Sequence, residues 1–142
     1  MNRMNLPSLD LSDDEFLAAV DRCEFGPHEF PHRAHLRLAY LSVRHHGAAG
    51  GEAHVCNAIR RLAESHGHAA KYNATLSRAW VRVVAHAMRR HPGATFEALL
   101  DAHPALLDKH LLLAHYTRAR LFGPEARAAW VAPDLLPLPA AA

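Results

Sequence analysis

Two histidines near the start of a predicted helix have the residue type and spacing for metal binding or acid–base chemistry. They are His32 and His35, in the stretch FPHRAHL. Helical side chains three positions apart lie on the same face, so the two rings can converge. The partial positive charge of a helix N-terminus disfavours imidazolium and keeps both rings neutral near pH 7. Because neutral imidazole binds metal ions and accepts protons, both residues are candidate catalytic residues and candidate metal ligands.

A second stretch, YNATLSRAW from Tyr72 to Trp80, repeats this arrangement at the start of a later predicted helix. Asn73, Ser77 and Trp80 lie on one helical line, so Asn73 leads an apolar face as His32 does. The ordinary alternatives are that Asn73 caps the helix and that Ser77 bonds to its own backbone. Tyr72 is a third candidate catalytic residue, as a proton donor. The residues of both stretches that we predict to bind substrate are Arg33, Asn73, Thr75, Ser77 and Trp80.

Helix-starting and helix-stopping residues predict that these stretches belong to an all-α fold. Residues 12–15 form a capping box, and glycine or proline follows most of the helical patterns. The stretch LLPLP at 135–139 cannot form a helix interior. We therefore expect a single helical domain over 1–142, with its core at 12–131 and residues 132–142 as an extended C-terminal strap. The predicted helices run over 12–26, 31–46, 51–67, 73–90, 95–102, 106–116 and 124–130.

Short connections between the second, third and fourth helices predict that the second and fourth run parallel. Their N-termini then meet at one end of the bundle, where His32, His35, Asn73 and Thr75 would line one pocket. Two converging helix N-termini would also attract an anion. The residues that we predict to form the core are Leu36, Tyr40, Val43, Ile59, Leu62, Leu76, Trp80, Val84 and Leu111.

Composition narrows the class of protein. The chain has 142 residues, 50% hydrophobic and 21% charged, which excludes a disordered chain. A net charge of +2 is far from that of a nucleic-acid binder, and no apolar run is long enough to span a membrane. No apolar segment typical of a signal peptide follows Met1–Leu6, and Cys23 and Cys56 are isolated thiols. We therefore expect a cytoplasmic protein with reduced cysteines, whose oligomeric state the sequence leaves open.

The chain resembles a family of small bacterial proteins of unassigned activity. One shared block is F-x-H-R-x-H-[LV]-x-x-A, here residues 30–39, and another is Y-[HN]-x-T-[LIV]-[ST]-x-x-W, here residues 72–80. Further shared stretches are 104–108 and 130–139, so the resemblance covers nearly the whole chain. It implies that the polar residues of the blocks form a site. Many members carry His where this chain has Asn73, and this difference weakens a metal site because an amide binds transition metals poorly.

An enzyme acting on a small molecule is the favoured hypothesis, because several polar residues, each costly to bury, gather at two helix ends. In one form of it, His32 and His35 hold a divalent metal such as Zn²⁺ or Fe²⁺. Glu29, Asp108 or Asn73 would then complete an open site.

In the other form no metal is bound, and His32 acts as the general acid or base. Asn73 and Thr75 would orient a polar group of the substrate, and Arg33 would offer a charge to an anionic one. Tyr72 serves either form as the proton donor.

Two other classes of function stay open. The first is a non-catalytic protein that binds a small ligand, a metal or haem in the same pocket. A helical bundle rich in histidine can supply an axial haem ligand, although the chain has no C-x-x-C-H attachment motif. The second is a protein-interaction module, to which the arginine-rich outer helix faces give generic support.

Overall fold

A computed structural model describes residues 11–26 and 28–139, and in these ranges the chain is all-α, without strands. The expectation about Met1–Leu6 lies outside the described residues. No helix within them is long and apolar enough to cross a membrane. The α-helices are α1 (Asp13–Asp21), α2 (His32–Ser65), α3 (Ala74–Arg90), α4 (Phe96–Ala102), α5 (Arg118–Leu121) and α6 (Pro124–Ala128). Short 3₁₀ helices cover Ala69–Lys71, Pro104–Leu107 and Leu111–Ala114.

Helix α1 begins at the predicted capping box and ends earlier than predicted. The Ser12 hydroxyl accepts a hydrogen bond from the Glu15 backbone, and the Glu15 carboxylate accepts one from the Ser12 backbone. The helix ends at Asp21 rather than near Gly26, because Cys23 adopts a φ of 54°, in the left-handed region that terminates helices.

Helix α2 is a hairpin of two arms, 32–46 and 48–65, that reverses direction at Gly47 with a φ of 76°. Ser42 Oγ and His54 Nδ1 are 2.8 Å apart, whereas a continuous helix would separate these residues by about 18 Å. The predicted break is thus confirmed, although the second arm begins before Gly51. A Cβ atom at Gly51 would lie 3.0 Å from the Val43 backbone, so glycine lets the arms approach closely.

Helix α3 begins and ends as predicted, and it packs against both arms of α2. Glu52 on the second arm of α2 is buried and pairs with Arg82 (2.9 Å) and Arg78 (3.5 Å). Arg78 and Arg82 therefore face α2, although the helical pattern predicts that Arg78, Arg82 and Arg89 point away from the apolar face of α3. Of the predicted core, Leu36, Tyr40, Leu62, Trp80 and Val84 are buried, and Val43, Ile59, Leu76 and Leu111 are partly buried against it.

The predicted helix over 106–116 is wrong, because two 3₁₀ helices separated by a turn occupy this region. An Asp108 carboxylate oxygen accepts a hydrogen bond from the His110 backbone at 2.9 Å and thereby stabilises the turn.

Residues 129–139 contain no helix and return along the bundle as an extended strap, and residues 140–142 of the strap predicted over 132–142 lie outside the described residues. The Leu135 backbone donates to the His115 carbonyl at 2.9 Å, and the Thr117 hydroxyl lies 2.7 Å from the Asp134 carboxylate. Leu135 and Leu136 are nevertheless exposed, so polar contacts rather than these two leucines hold this part of the strap.

Candidate functional site

A cavity of about 450 Å³ opens where the N-termini of α2 and α3 meet. We call it the histidine cavity. Its walls come from both arms of α2, the first turns of α3 and the segment 109–122. The polar or charged residues that line it are His32, His35, Lys71, Tyr72, Asn73, Ser77, Lys109, His110 and Arg118. The apolar ones are Ala39, Val55, Ile59, Leu76, Trp80, Val81 and Phe122. Of the four residues that we predicted to line one pocket, His32, His35, Asn73 and Thr75, the first three line this cavity.

The His32 ring is held on two sides. Its Nε2 lies 2.8 Å from the carbonyl oxygen of Leu106, and its edge faces the Trp80 indole with ring centroids 4.6 Å apart. A carbonyl only accepts hydrogen bonds, so Nε2 carries the proton and Nδ1 is the basic nitrogen. Burial lowers the pKa of His32, with a smaller opposing effect of the Leu106 carbonyl, and the nearby Lys109 ammonium lowers it further.

The His35 ring has the opposite tautomer. Its Nδ1 donates to the Pro31 carbonyl at 3.2 Å, which leaves Nε2 as the basic nitrogen. The ring packs edge-on against Phe30, with centroids 4.7 Å apart. Burial lowers the pKa of His35 to about 4, and the adjacent His32 contributes in the same direction. Both imidazoles are therefore neutral near pH 7. In the described chain neither basic nitrogen, Nδ1 of His32 or Nε2 of His35, has a hydrogen-bond partner, and both are accessible to solvent.

Tyr72 lines the cavity as a half-buried phenol. Burial and the neighbouring Cys56 thiol raise the pKa of Tyr72 to about 12. Tyr72 is therefore a weaker acid than a free phenol, and the arrangement suits it to donating a hydrogen bond more than to releasing its proton.

Asn73 has a structural role as well as a place in the cavity wall. Its Oδ1 accepts a hydrogen bond from the Leu76 backbone at 2.9 Å and caps α3, which confirms the capping role that we gave as an alternative for Asn73. Its Nδ2 donates to the Leu121 carbonyl at 2.8 Å and ties α5 to the start of α3. Ser77 lies one turn further along α3 and also lines the cavity.

Thr75 does not line the histidine cavity, contrary to our expectation. Its side chain is fully buried, and its hydroxyl donates to the Ala129 carbonyl (2.9 Å) and accepts from the Val131 backbone (3.0 Å). Thr75 lies two positions after Asn73, so it faces the other side of α3 and fastens the strap there.

Arg33 also lies outside the cavity. It forms an ion pair with Glu97 and packs over the Phe96 ring, at the start of α4. Arg33 follows His32 directly, and adjacent residues of a helix point about 100° apart.

The three groups that we named as a possible third metal ligand are engaged elsewhere. A Glu29 oxygen accepts from the Gly26 backbone at 2.6 Å, and the Asp108 and Asn73 oxygens accept the backbone bonds given above. Over 11–26 and 28–139, no group of three or more His, Cys, Asp or Glu side chains is arranged to hold a metal ion.

The sequence reasoning missed the cationic part of the wall. Lys71, Lys109 and Arg118 come from three separate segments, which local periodicity cannot bring together. One signal was present, since Lys71 and Lys109 are the only lysines of the chain.

No model of a known protein family matches the chain, and comparisons with curated proteins and with solved structures give no match.

Proposed function

We propose that the protein is an enzyme that moves a proton on a small molecule bound in the histidine cavity, with His32 and His35 as the acid–base groups. One observation carries the proposal: each imidazole has one nitrogen held by a backbone carbonyl and the other without a hydrogen-bond partner among the described residues. A carbonyl partner fixes the orientation and tautomer of a histidine, which a general base needs. The volume of about 450 Å³ is in the range of small-molecule sites.

In the proposed reaction, Nδ1 of His32 accepts a proton from the substrate while Nε2–H keeps its bond to Leu106. The imidazolium so formed is disfavoured by its burial and by the nearby Lys109, so it returns the proton readily. Nε2 of His35 offers a second, less basic acceptor on the same wall. The proton that Nδ1 of His32 removes from one atom of the substrate is then returned by the same nitrogen to another atom, while neutral Nε2 of His35 accepts a hydrogen bond from the substrate.

The charges of the cavity wall favour the metal-free form of this enzyme. Lys71, Lys109 and Arg118 line the cavity, and no carboxylate of residues 11–26 or 28–139 lines it with them. A divalent cation beside two imidazoles would be repelled by these groups and would lack an anionic ligand. The experiment described next also tests whether His32 and His35 bind Zn²⁺ or Fe²⁺.

The experiment uses protein purified without an affinity tag. A panel of small metabolites is screened by thermal shift, and each stabilising compound is followed by proton NMR for conversion. We expect conversion of at least one bound compound, with a rate that falls about 10²- to 10⁴-fold in His32→Gln and His35→Gln. His68→Gln, a histidine outside the cavity, is the matched control and should keep the rate.

Three results would contradict the proposal. Binding without conversion would show the non-catalytic alternative, and an unchanged rate in both cavity variants would remove the acid–base role. Elemental analysis and an absorbance spectrum of the wild type test the remaining case. A stoichiometric metal ion or a haem spectrum in the wild type that is lost in both cavity variants would contradict the metal-free form. It would support a metal or haem site at His32 and His35 instead.

A further inference from the structure

The cations of the histidine cavity, Lys71, Lys109 and Arg118, have no anionic partner among the described residues. Across 11–26 and 28–139, no carboxylate lies within ion-pair distance of Lys71, Lys109 or Arg118, and their side chains form no hydrogen bond. Asp108 precedes Lys109, but its carboxylate is bonded to the His110 backbone and lies 3.6 Å from the His110 ring. The arginines that do pair with carboxylates are Arg22, Arg33, Arg37, Arg61, Arg78 and Arg82.

The three cations lie in separate segments of the chain but border the same cavity. Lys71 lies in the 3₁₀ helix before α3, Lys109 in the turn after Leu107, and Arg118 at the start of α5. All three side chains belong to exposed residues that border one opening, and they include both lysines of the chain. Positive charges that border one opening and form no ion pair with the described residues would stabilise a bound anion there.

The remaining wall is suited to an apolar body. Trp80, Leu76, Ile59 and Val55 form a continuous part of it, and Phe122 is exposed at the segment that carries Arg118. Apolar surface removed from water here would supply most of the affinity, while the charges would fix the orientation of the ligand.

We infer that the ligand of the histidine cavity is an organic anion, a carboxylate on an aromatic or aliphatic body. The carboxylate contacts Lys109 and Arg118, and the apolar body lies against Trp80. This inference rests on one part of the proposed function, namely that a small molecule binds in the histidine cavity. It does not depend on whether the protein converts that molecule or only binds it.

The test compares two probes of the same shape, 1-naphthaleneacetate and 1-naphthaleneacetamide, by calorimetry with the wild-type chain. They have nearly the same shape and only the acetate is charged, so the part of the affinity difference that salt removes measures the contribution of the cations. We expect the carboxylate to bind about tenfold more tightly, equivalent to about 1.4 kcal/mol. This preference should shrink when the salt concentration is raised from 0.05 to 0.5 M, roughly the range over which exposed charges become screened.

Variants then locate the charge effect. Lys109→Gln and Arg118→Gln should each weaken binding of the acetate several-fold and leave that of the acetamide unchanged. Arg127→Gln is the matched control, because Arg127 is exposed but lies outside the cavity. Its circular dichroism and both affinities should equal those of the wild type.

The outcomes separate this inference from the proposed function. Equal affinities for the two probes would overturn the anionic ligand and leave a cavity that still binds small molecules. Absence of binding by both probes at millimolar concentration would overturn the inference together with its premise. Preference for the acetate in a protein that converts none of its ligands would support the inference while the enzymatic proposal fails.

Discussion

The Nε2 atom of His32 lies 2.8 Å from the carbonyl oxygen of Leu106, 74 residues further along the chain. This bond joins the start of α2 to the 3₁₀ helix Pro104–Leu107 and settles which nitrogen of the ring is basic. The same contact thus has a structural and a chemical consequence. His35 lacks such a long-range partner, because its Nδ1 bonds to Pro31 in the preceding turn.

We expect nitrogen NMR to find two different tautomers in the cavity at pH 7.5. His32 should be protonated at Nε2 and His35 at Nδ1, with resonances assigned from His32→Gln and His35→Gln. On acidification His35 should stay neutral until about pH 4, since burial lowers its pKa to about that value. A His35 resonance that titrates near the ordinary pKa of about 6.5 would contradict its assigned environment.

The free energy of unfolding should decrease as the pH falls below about 6.5, the ordinary histidine pKa. Burial lowers the pKa values of His32, His35, His54 and His103 in the folded state. The unfolded chain therefore takes up protons first, and acid favours unfolding, whereas above pH 7 these groups are neutral in both states and contribute nothing. Urea titrations at pH 8, 7, 6 and 5 measure this dependence.

His103 allows the contribution of one histidine to be isolated. Its Nε2 is buried and has no hydrogen-bond partner among residues 11–26 and 28–139, and its ring packs against His91 with centroids 4.6 Å apart. We expect His103→Leu to lose less stability than the wild type between pH 8 and pH 5, because one group that resists protonation is gone. An identical loss in the two proteins would show that His103 does not contribute.

Replacement of Thr75 should affect stability without affecting the cavity. Thr75→Val removes the hydroxyl that bonds to Ala129 and Val131, and it leaves those backbone groups without their partner. We expect the free energy of unfolding to fall by about 1–3 kcal/mol. Thr75→Ser keeps the hydroxyl and should lose less. Affinity for 1-naphthaleneacetate should be unchanged in the folded valine variant. A loss of affinity there would contradict the placement of Thr75 outside the histidine cavity.

Trp80 is both a core residue and a wall of the cavity. Trp80→Ala should lower the free energy of unfolding by about 3–5 kcal/mol, because a buried indole is lost and a cavity remains. Trp80→Phe keeps an aromatic ring beside His32 and should lose less. Urea unfolding followed by circular dichroism measures both, and an alanine variant within about 0.5 kcal/mol of the wild type would contradict the assignment.

The features that the sequence predicted well are those encoded locally. Ser12, Asn73 and Thr95 cap helices through side-chain bonds three residues away, and Gly47 supplies the backbone conformation of the hairpin turn. The meeting of the α2 and α3 N-termini then followed from short connections between the helices. That step correctly brought His32 and Asn73 to one cavity.

The features that it missed have two causes, a local turn within the leucine-rich run and partners that are distant in sequence. The leucine-rich run after residue 106 has helical spacing, yet the bond between Asp108 and the His110 backbone interrupts it with a turn. Thr75 looked like a cavity residue because its partners, Ala129 and Val131, follow more than 50 positions later. The cations of the wall depend in the same way on the folding of three separate segments.

The bond from Asn73 to the Leu121 carbonyl, 48 residues later, has a consequence for the order in which the chain is completed during translation. Helices α1 to α3 are synthesised before the segment that carries Lys109, Arg118 and Leu121. In the nascent chain the apolar wall around Trp80 is therefore open to water and to chaperones. Contacts between residues so far apart in sequence are also the slower ones to form, so we expect the histidine cavity to close late in folding.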